Sequence, residues 1–243
     1  MSGSTHVFIV CSPRAGVGKT LVARLIAEFY RASERSVVAF DLEPFEPALV
    51  EFLPELTTRV SLSETRGQMA LFDQLIVNDG QTKVIDLGHL ALESFFALAA
   101  DLGFLAEAGK KGITALVMYV ADETTIARNT YLALRDRFPD LGFVPVHNDA
   151  VARGLELRRH FPALARGLPP LHIPQLSAGL RAVIDKRPFS FIQAQHFPPD
   201  RLTPDQRDEM ESLMKRVFRA LRETEIGLLM KNLNSKLTDK AGQ

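Results

Sequence analysis

The chain has 243 residues, of which 46% are hydrophobic, with 29 basic and 29 acidic side chains; it is long enough to bury a sizeable core and too apolar to be wholly disordered. Its formal net charge of zero argues for no partner by bulk electrostatics, so only local patches could recruit one. Cys11, the single cysteine, excludes an internal disulfide, the most apolar stretch is broken by Glu93, Asp101 and Glu107, and residues 1–6 are too short and uncharged for a secretory signal, so the expected location is the cytoplasm.

Val7-Phe8-Ile9-Val10 is a continuous apolar run, as expected of a strand buried on both faces, and Leu21, Leu25, Ile26 and Phe29 recur at helical spacing. Between them lies Ser12 to Thr20. Gly16 and Gly18 allow a tight turn in which successive backbone N–H groups and the positive end of the helix face one anion. Lys19 adds a mobile charge for β and γ phosphates, and the Thr20 hydroxyl is placed to ligate Mg²⁺. The pattern G-x-x-x-x-G-K-[ST] is met except at its first position, which is Pro13. The plainer alternative, a βα turn with a surface lysine, leaves the spacing of both glycines and the Lys-Thr pair unexplained.

Arg14-Ala15-Gly16-Val17-Gly18-Lys19-Thr20 resembles the deviant Walker A loop of the ParA/MinD-type ATPases, written Lys-Gly-Gly-Val-Gly-Lys-Thr. The resemblance implies ATP and Mg²⁺, a nucleotide site along Arg14 to Leu21, and an ATP-dependent homodimer. Arg14 takes the place of the family's signature lysine, which reaches across the dimer to the partner's phosphates, and offers a planar fork suited to phosphate oxygens. Ala15 replaces a glycine and would be strained if that position required positive φ. Leu21 replaces a hydroxyl residue and removes one α-phosphate contact.

Ser36 to Phe40 reads as a second buried strand, ending in Asp41-Leu42-Glu43-Pro44. Ligands in open α/β sheets bind at the carboxyl ends of strands, which suits a metal or phosphate role for these carboxylates. The resemblance places Asp41 near Mg²⁺ and Glu43 at the residue that positions the attacking water, although Glu43 is one methylene longer than the family's aspartate. The alternative is a solvated loop. Residues 46–56 read as a short helix and turn, and residues 65–77 as a helix. The strand Thr82 to Ile85 then delivers Asp86, a carboxylate after a buried strand, where a Mg²⁺-bound water would be held. In the loop that follows, Gly88 and His89 depart from the family pattern, and His89 reads as a solvated loop residue.

Residues 91–108 are expected to form one mostly buried helix, with Gly103 as a soft spot; residues 113–120 form a strand and residues 125–138 a helix. Asn148, after the strand 143–147, matches the family's adenine-reading asparagine and could equally close an Asx turn. Pro174, after the strand 171–173, resembles the element beside the base. Arg153, Arg158, Arg159, Arg166, Arg181, Lys186 and Arg187, against Glu156 and Asp185, make this segment basic. That suits non-specific DNA as in many ParA relatives, or a solvated face. Residues 189–199 read as irregular.

Thr203-Pro204-Asp205-Gln206 announces a capping box and a helix with Met210, Leu213, Met214, Val217, Phe218 and Leu221 on one stripe. A second stripe, Ile226, Leu229, Met230, Leu233 and Leu237, sits among Lys231, Lys236 and Lys240. It is a candidate for docking on the chain's own core, on a partner protein, or on a membrane as in MinD relatives. Helices alternating with about six to eight apolar strands indicate an α/β P-loop NTPase with a mostly parallel twisted sheet, helices on both faces and a C-terminal helical extension. Residues 1–199 would form the nucleotide-binding domain and residues 200–243 the extension packed on it. The resemblance implies an ATPase that positions a plasmid, chromosome region or cell-surface machine, in the cytoplasm or peripherally on nucleoid or membrane. Two alternatives stay open: an ATP-binding module with little hydrolysis, and a ligase resembling dethiobiotin synthetase.

Overall fold

The structure, a computed structural model, describes residues 5–152, 157–162, 168–198 and 200–241, with side chains from 159 in the second span and to 230 in the last. Seven parallel strands make one sheet in the order β3-β2-β4-β1-β5-β6-β7. They are β1 (His6–Cys11), β2 (Val37–Asp41), β3 (Thr57–Arg59), β4 (Thr82–Asp86), β5 (Thr114–Ala121), β6 (Gly142–Asn148) and β7 (Leu171–Ile173). β1 is buried along its whole length because it lies between β4 and β5 with helices over both faces. Its side chains alternate: Phe8 and Val10 join one core layer, Val7, Ile9 and Cys11 the other. Burial drives the Cys11 thiol up to about 12, so it acts as a small core residue rather than a nucleophile.

The Phe8 side is covered by α1 (Lys19–Ala32), α2 (Leu49–Phe52), α8 (Ala178–Ile184), α9 (Phe191–Ala194) and α10 (Pro204–Ala241). The other side carries α3 (Thr65–Leu75), α4 (Leu92–Asp101), α5 (Phe104–Lys110) and α6 (Thr125–Arg137). A four-residue helix, α7 (Leu157–His160), precedes β7. The helix expected over residues 91–108 is two helices, because Gly103 adopts a left-handed φ of 60° and caps α5. β3 is a strand that the sequence reading lacks, and the segment read as irregular contains α9.

The capping box at the start of α10 is formed: Gln206 N donates to Thr203 Oγ1 at 3.3 Å and Thr203 N to Gln206 Oε1 at 3.0 Å. The two apolar stripes of the tail run along one continuous helix. Met210, Leu213, Met214, Val217 and Leu221 are buried in the layer that holds α1, and the Phe218 ring meets Phe29 edge-on at 5.4 Å. Glu225 accepts from the Tyr30 hydroxyl at 2.6 Å and pairs with Arg35 at 2.7 Å. Immediately beyond Glu225, Ile226, Leu229 and Met230 are exposed at i, i+3 and i+4, while Leu228 is buried. Among the described residues no helix is long and apolar enough to cross a membrane.

Candidate functional site

Adjacency of β1 and β4 decides where the chemistry gathers. Val10 pairs with Asp86 in register, and Asp86 pairs with Asp41 of β2, so three strand ends open onto the loop that leaves β1. That loop turns on two glycines in the left-handed region, Gly16 at φ 72° and Gly18 at φ 99°. A Cβ on Gly18 would stand 2.6 Å from the Asn148 amide, so both backbone strain and lack of room demand glycine there. Ala15 has no positive φ, so an alanine at that position introduces no backbone strain.

From the first turn of α1, the Thr20 hydroxyl donates to Asp86 Oδ2 at 2.7 Å. Lys19, nearly buried, folds its ammonium onto the Arg14 carbonyl at 2.7 Å. Burial pulls the Lys19 pKa down, against the pull of Asp86 and Glu43. Burial lifts the Asp86 carboxyl to about 7, opposed by the Thr20 bond and reinforced by the neighbouring Asp41 charge. The Ser12 hydroxyl, where the loop leaves β1, is buried without a hydrogen-bond partner. An oxygen set of one hydroxyl and one carboxylate fits a hard divalent cation that takes its other ligands from phosphates and water. Among the described residues no group of three or more His, Cys, Asp or Glu could hold a metal by itself.

Ala15, Gly16, Gly18, Lys19, Thr20, Leu21, Glu43 and Asp86 line one cleft of about 550 Å³, together with His89, Arg24, Phe52, Arg181 and Arg187. A hollow of about 280 Å³ adjoins it, sharing Gly16, Gly18, Leu21 and Arg181, and is lined by Asn148 and Pro174. Asn148 is nonetheless committed to the fold: its amide donates to the Val17 carbonyl at 2.9 Å, and its oxygen accepts from Ala150 N at 3.1 Å, closing the Asx turn. It braces the loop from below. Asp41 is wholly buried beneath the cleft and accepts the backbone N–H of Glu43 and Val50, each at 3.1 Å.

Arg14 stands apart from the cleft lining, half exposed, with its guanidinium 3.4 Å from the buried Asp122 carboxylate after β5. Of the basic segment, Arg153 and Arg166 and the Arg158 side chain lie outside the described residues. Arg159 is exposed, Arg181 pairs with Asp185 at 3.2 Å, and Arg187 pairs with Glu51. Arg181 and Arg187 also line the cleft.

Sequence reasoning missed two residues. His89 is half-buried, with Nδ1 sealed from solvent and 3.7 Å from Glu43 Oε2. Arg24 is buried against the rings of Phe52, Phe191 and Phe189 at 3.8, 4.8 and 5.4 Å. Helical spacing from Thr20 to Arg24, one turn on, was the only local signal that the arginine shares the cleft's stripe of α1.

A strand, a glycine loop and a helix that presents Lys19 and Thr20 to Asp86 on the neighbouring strand define an α/β fold of the P-loop NTPase class. No family model and no curated protein matches the sequence. Among solved structures the chain is similar to a nucleotide-binding protein from Archaeoglobus fulgidus in complex with ADP, at 13% identity over 74% of this chain and 85% of that one. It is similar also to the signal recognition particle 54 kDa protein from Aeropyrum pernix in complex with GDP, at 14% identity over 89% of this chain and 49% of that one. A plasmid partition protein from Borrelia burgdorferi matches at 10% identity over 90% and 99%. The TM-score is 0.44 in each case.

Proposed function

We propose that the chain is an ATP-binding switch of the ParA/MinD kind, which binds Mg-ATP in the cleft, pairs with a second copy in that state and resets by hydrolysis. The observation that carries the reading is the convergence of Lys19, Thr20 and Asp86, with the hydroxyl in the first turn of α1 and the carboxylate at the end of β4 2.7 Å apart. Thr20 and Asp86 would hold Mg²⁺, which supplies positive charge between the phosphates. Lys19 would leave the Arg14 carbonyl for the β and γ phosphates, since a charge-assisted bond is stronger than one to a neutral carbonyl. The adjoining hollow, with Pro174 on its wall, is of a size and position to take the base. The cargo would be a plasmid, a chromosome region or cell-surface machinery. The exposed Ile226, Leu229 and Met230 would meet a partner protein or a membrane surface, and Arg159, Arg181 and Arg187 are the described cations through which DNA would be held.

Two chains loaded with Mg-ATP and facing each other across their loops would still bring about two net negative charges each to one interface, which favours a cation that crosses it. Arg14 sits at the outer edge of the loop, half exposed, and its bond to Asp122 is one it can exchange for a partner's phosphate oxygens. Arg14→Ala is accordingly expected to bind Mg-ATP within about threefold of the unmodified chain, because it removes no contact to the chain's own nucleotide. With a non-hydrolysable ATP analogue the unmodified chain should double its mass in light scattering and the variant should remain a monomer. A full ATP-dependent dimer from the variant would contradict the reading.

A further inference from the structure

His89 is half-buried and its ring faces a carboxylate, a setting that a solvated loop residue does not need. Gly88, immediately before it, lets Glu43 close over the loop: a Cβ there would lie 2.7 Å from Glu43 Oε2 and 2.9 Å from Glu43 Cα. Glu43 is thereby held against the loop after β4, and its Oε2 faces His89 Nδ1 at 3.7 Å, a nitrogen buried with no hydrogen-bond partner. Both side chains line the cleft that holds Lys19, Thr20 and Asp86. The other two carboxylates at these strand ends are already engaged, Asp86 by the Thr20 hydroxyl and Asp41 by two backbone N–H groups.

We propose that His89 is the proton acceptor for nucleoside triphosphate hydrolysis in this cleft, and that Glu43 is its positioning residue. The proposal rests on the nucleotide reading of the same site. A carboxylate facing Nδ1 favours the tautomer with hydrogen on Nδ1, which leaves the Nε2 lone pair as the base, the relation between base and orienting group found in nucleophile-activating triads. In the step, a water oxygen bonds to the γ-phosphorus while the bond from phosphorus to the β–γ bridging oxygen breaks. Its electron pair leaves on the nucleoside diphosphate, and the water proton passes to His89 Nε2 and then to solvent. Water and the triphosphate are the only reactants.

The test combines turnover, binding and a spectrum of the ligand-free chain. His89→Gln should lower kcat about 100-fold, the size of a general-base contribution, while the Kd for Mg-ATP stays within about twofold. Glu43→Gln should lower kcat about tenfold at unchanged Kd, and in ¹⁵N-histidine correlation spectra of the free chain it should shift the His89 ring away from the Nδ1–H tautomer. Absence of Mg-ATP binding by the unmodified chain would sink the nucleotide reading itself. Where Mg-ATP binds, three results overturn the dyad alone: turnover in His89→Gln equal to the unmodified chain's, no turnover in the unmodified chain, or a His89 tautomer indifferent to Glu43→Gln.

Discussion

Lys19→Ala should reduce the affinity for Mg-ATP by at least about 100-fold, close to abolishing binding at micromolar protein. Charge-assisted hydrogen bonds contribute about 1.5–3 kcal/mol each, and an ammonium shared by two phosphates would make at least two, for roughly 3–6 kcal/mol. The fold should survive. In the free chain Lys19 makes a single bond to a carbonyl, and burial already disfavours its charge, so removing it relieves desolvation as it loses that bond. Titration of a fluorescent ATP analogue against both chains, with thermal unfolding as the control, reads the two effects separately. An affinity within about fivefold of the unmodified chain's would remove the phosphate-loop assignment.

The largest effect on stability is expected from Arg24→Ala. Arg24 ties α1 to the segment that follows α8: its guanidinium lies among three phenylalanine rings and donates to the Phe189 carbonyl at 3.4 Å. One turn further along α1, the buried Glu28 carboxylate accepts the Phe191 N–H at 2.5 Å. Burial brings the Arg24 guanidinium down to about 10, leaving it charged at neutral pH, and raises the Glu28 carboxyl against the lowering effects of Ser190, the Phe191 N–H and Arg24. Truncating the arginine empties the ring box, leaves the Phe189 carbonyl without its donor and removes the cationic neighbour of the buried Glu28, a loss of about 3–5 kcal/mol plus up to about 2 kcal/mol of cation–π attraction. For a domain of this length that corresponds to a drop in Tm of roughly 10 °C or more. Pairing Arg24→Met with Glu28→Gln should recover much of it, because neither charge is then buried alone. Scanning calorimetry in which Arg24→Ala melts within about 2 °C of the unmodified chain would show that the pair carries no such weight.

The difference between Lys19 and Arg24 explains what could be read before the structure. The phosphate loop was legible because its determinants are contiguous: two residues with left-handed φ, a lysine and a hydroxyl, framed by a buried strand and a helix. Asp86 followed from the same logic, a carboxylate at the end of an apolar run, and Thr203 and Gln206 announced their helix by a local reciprocal bond. Arg24 looked like any helical arginine, since Phe189 and Phe191 come to it from more than 160 residues away. Asn148 fitted a motif position, yet its amide serves the Val17 carbonyl across 131 residues of sequence. β3 escaped because three residues, two of them exposed, carry no alternation to read. His89 looked solvated because nothing nearby in sequence indicates that Gly88 admits Glu43.

The central claim is that Thr20 and Asp86 share one divalent cation with a bound triphosphate, and calorimetric titration of ATP into the unmodified chain and Asp86→Asn, with Mg²⁺ and with EDTA, tests it most directly. The titration belongs at pH 8, above the value of about 7 to which burial lifts Asp86, where the carboxylate form available to the metal predominates. In the unmodified chain Mg²⁺ should tighten ATP binding at least about tenfold over EDTA. In Asp86→Asn that gain should vanish, leaving the two conditions within about twofold of each other and close to the unmodified chain in EDTA. An undiminished gain from Mg²⁺ in Asp86→Asn, or an equal loss of affinity with and without the metal, would contradict the account.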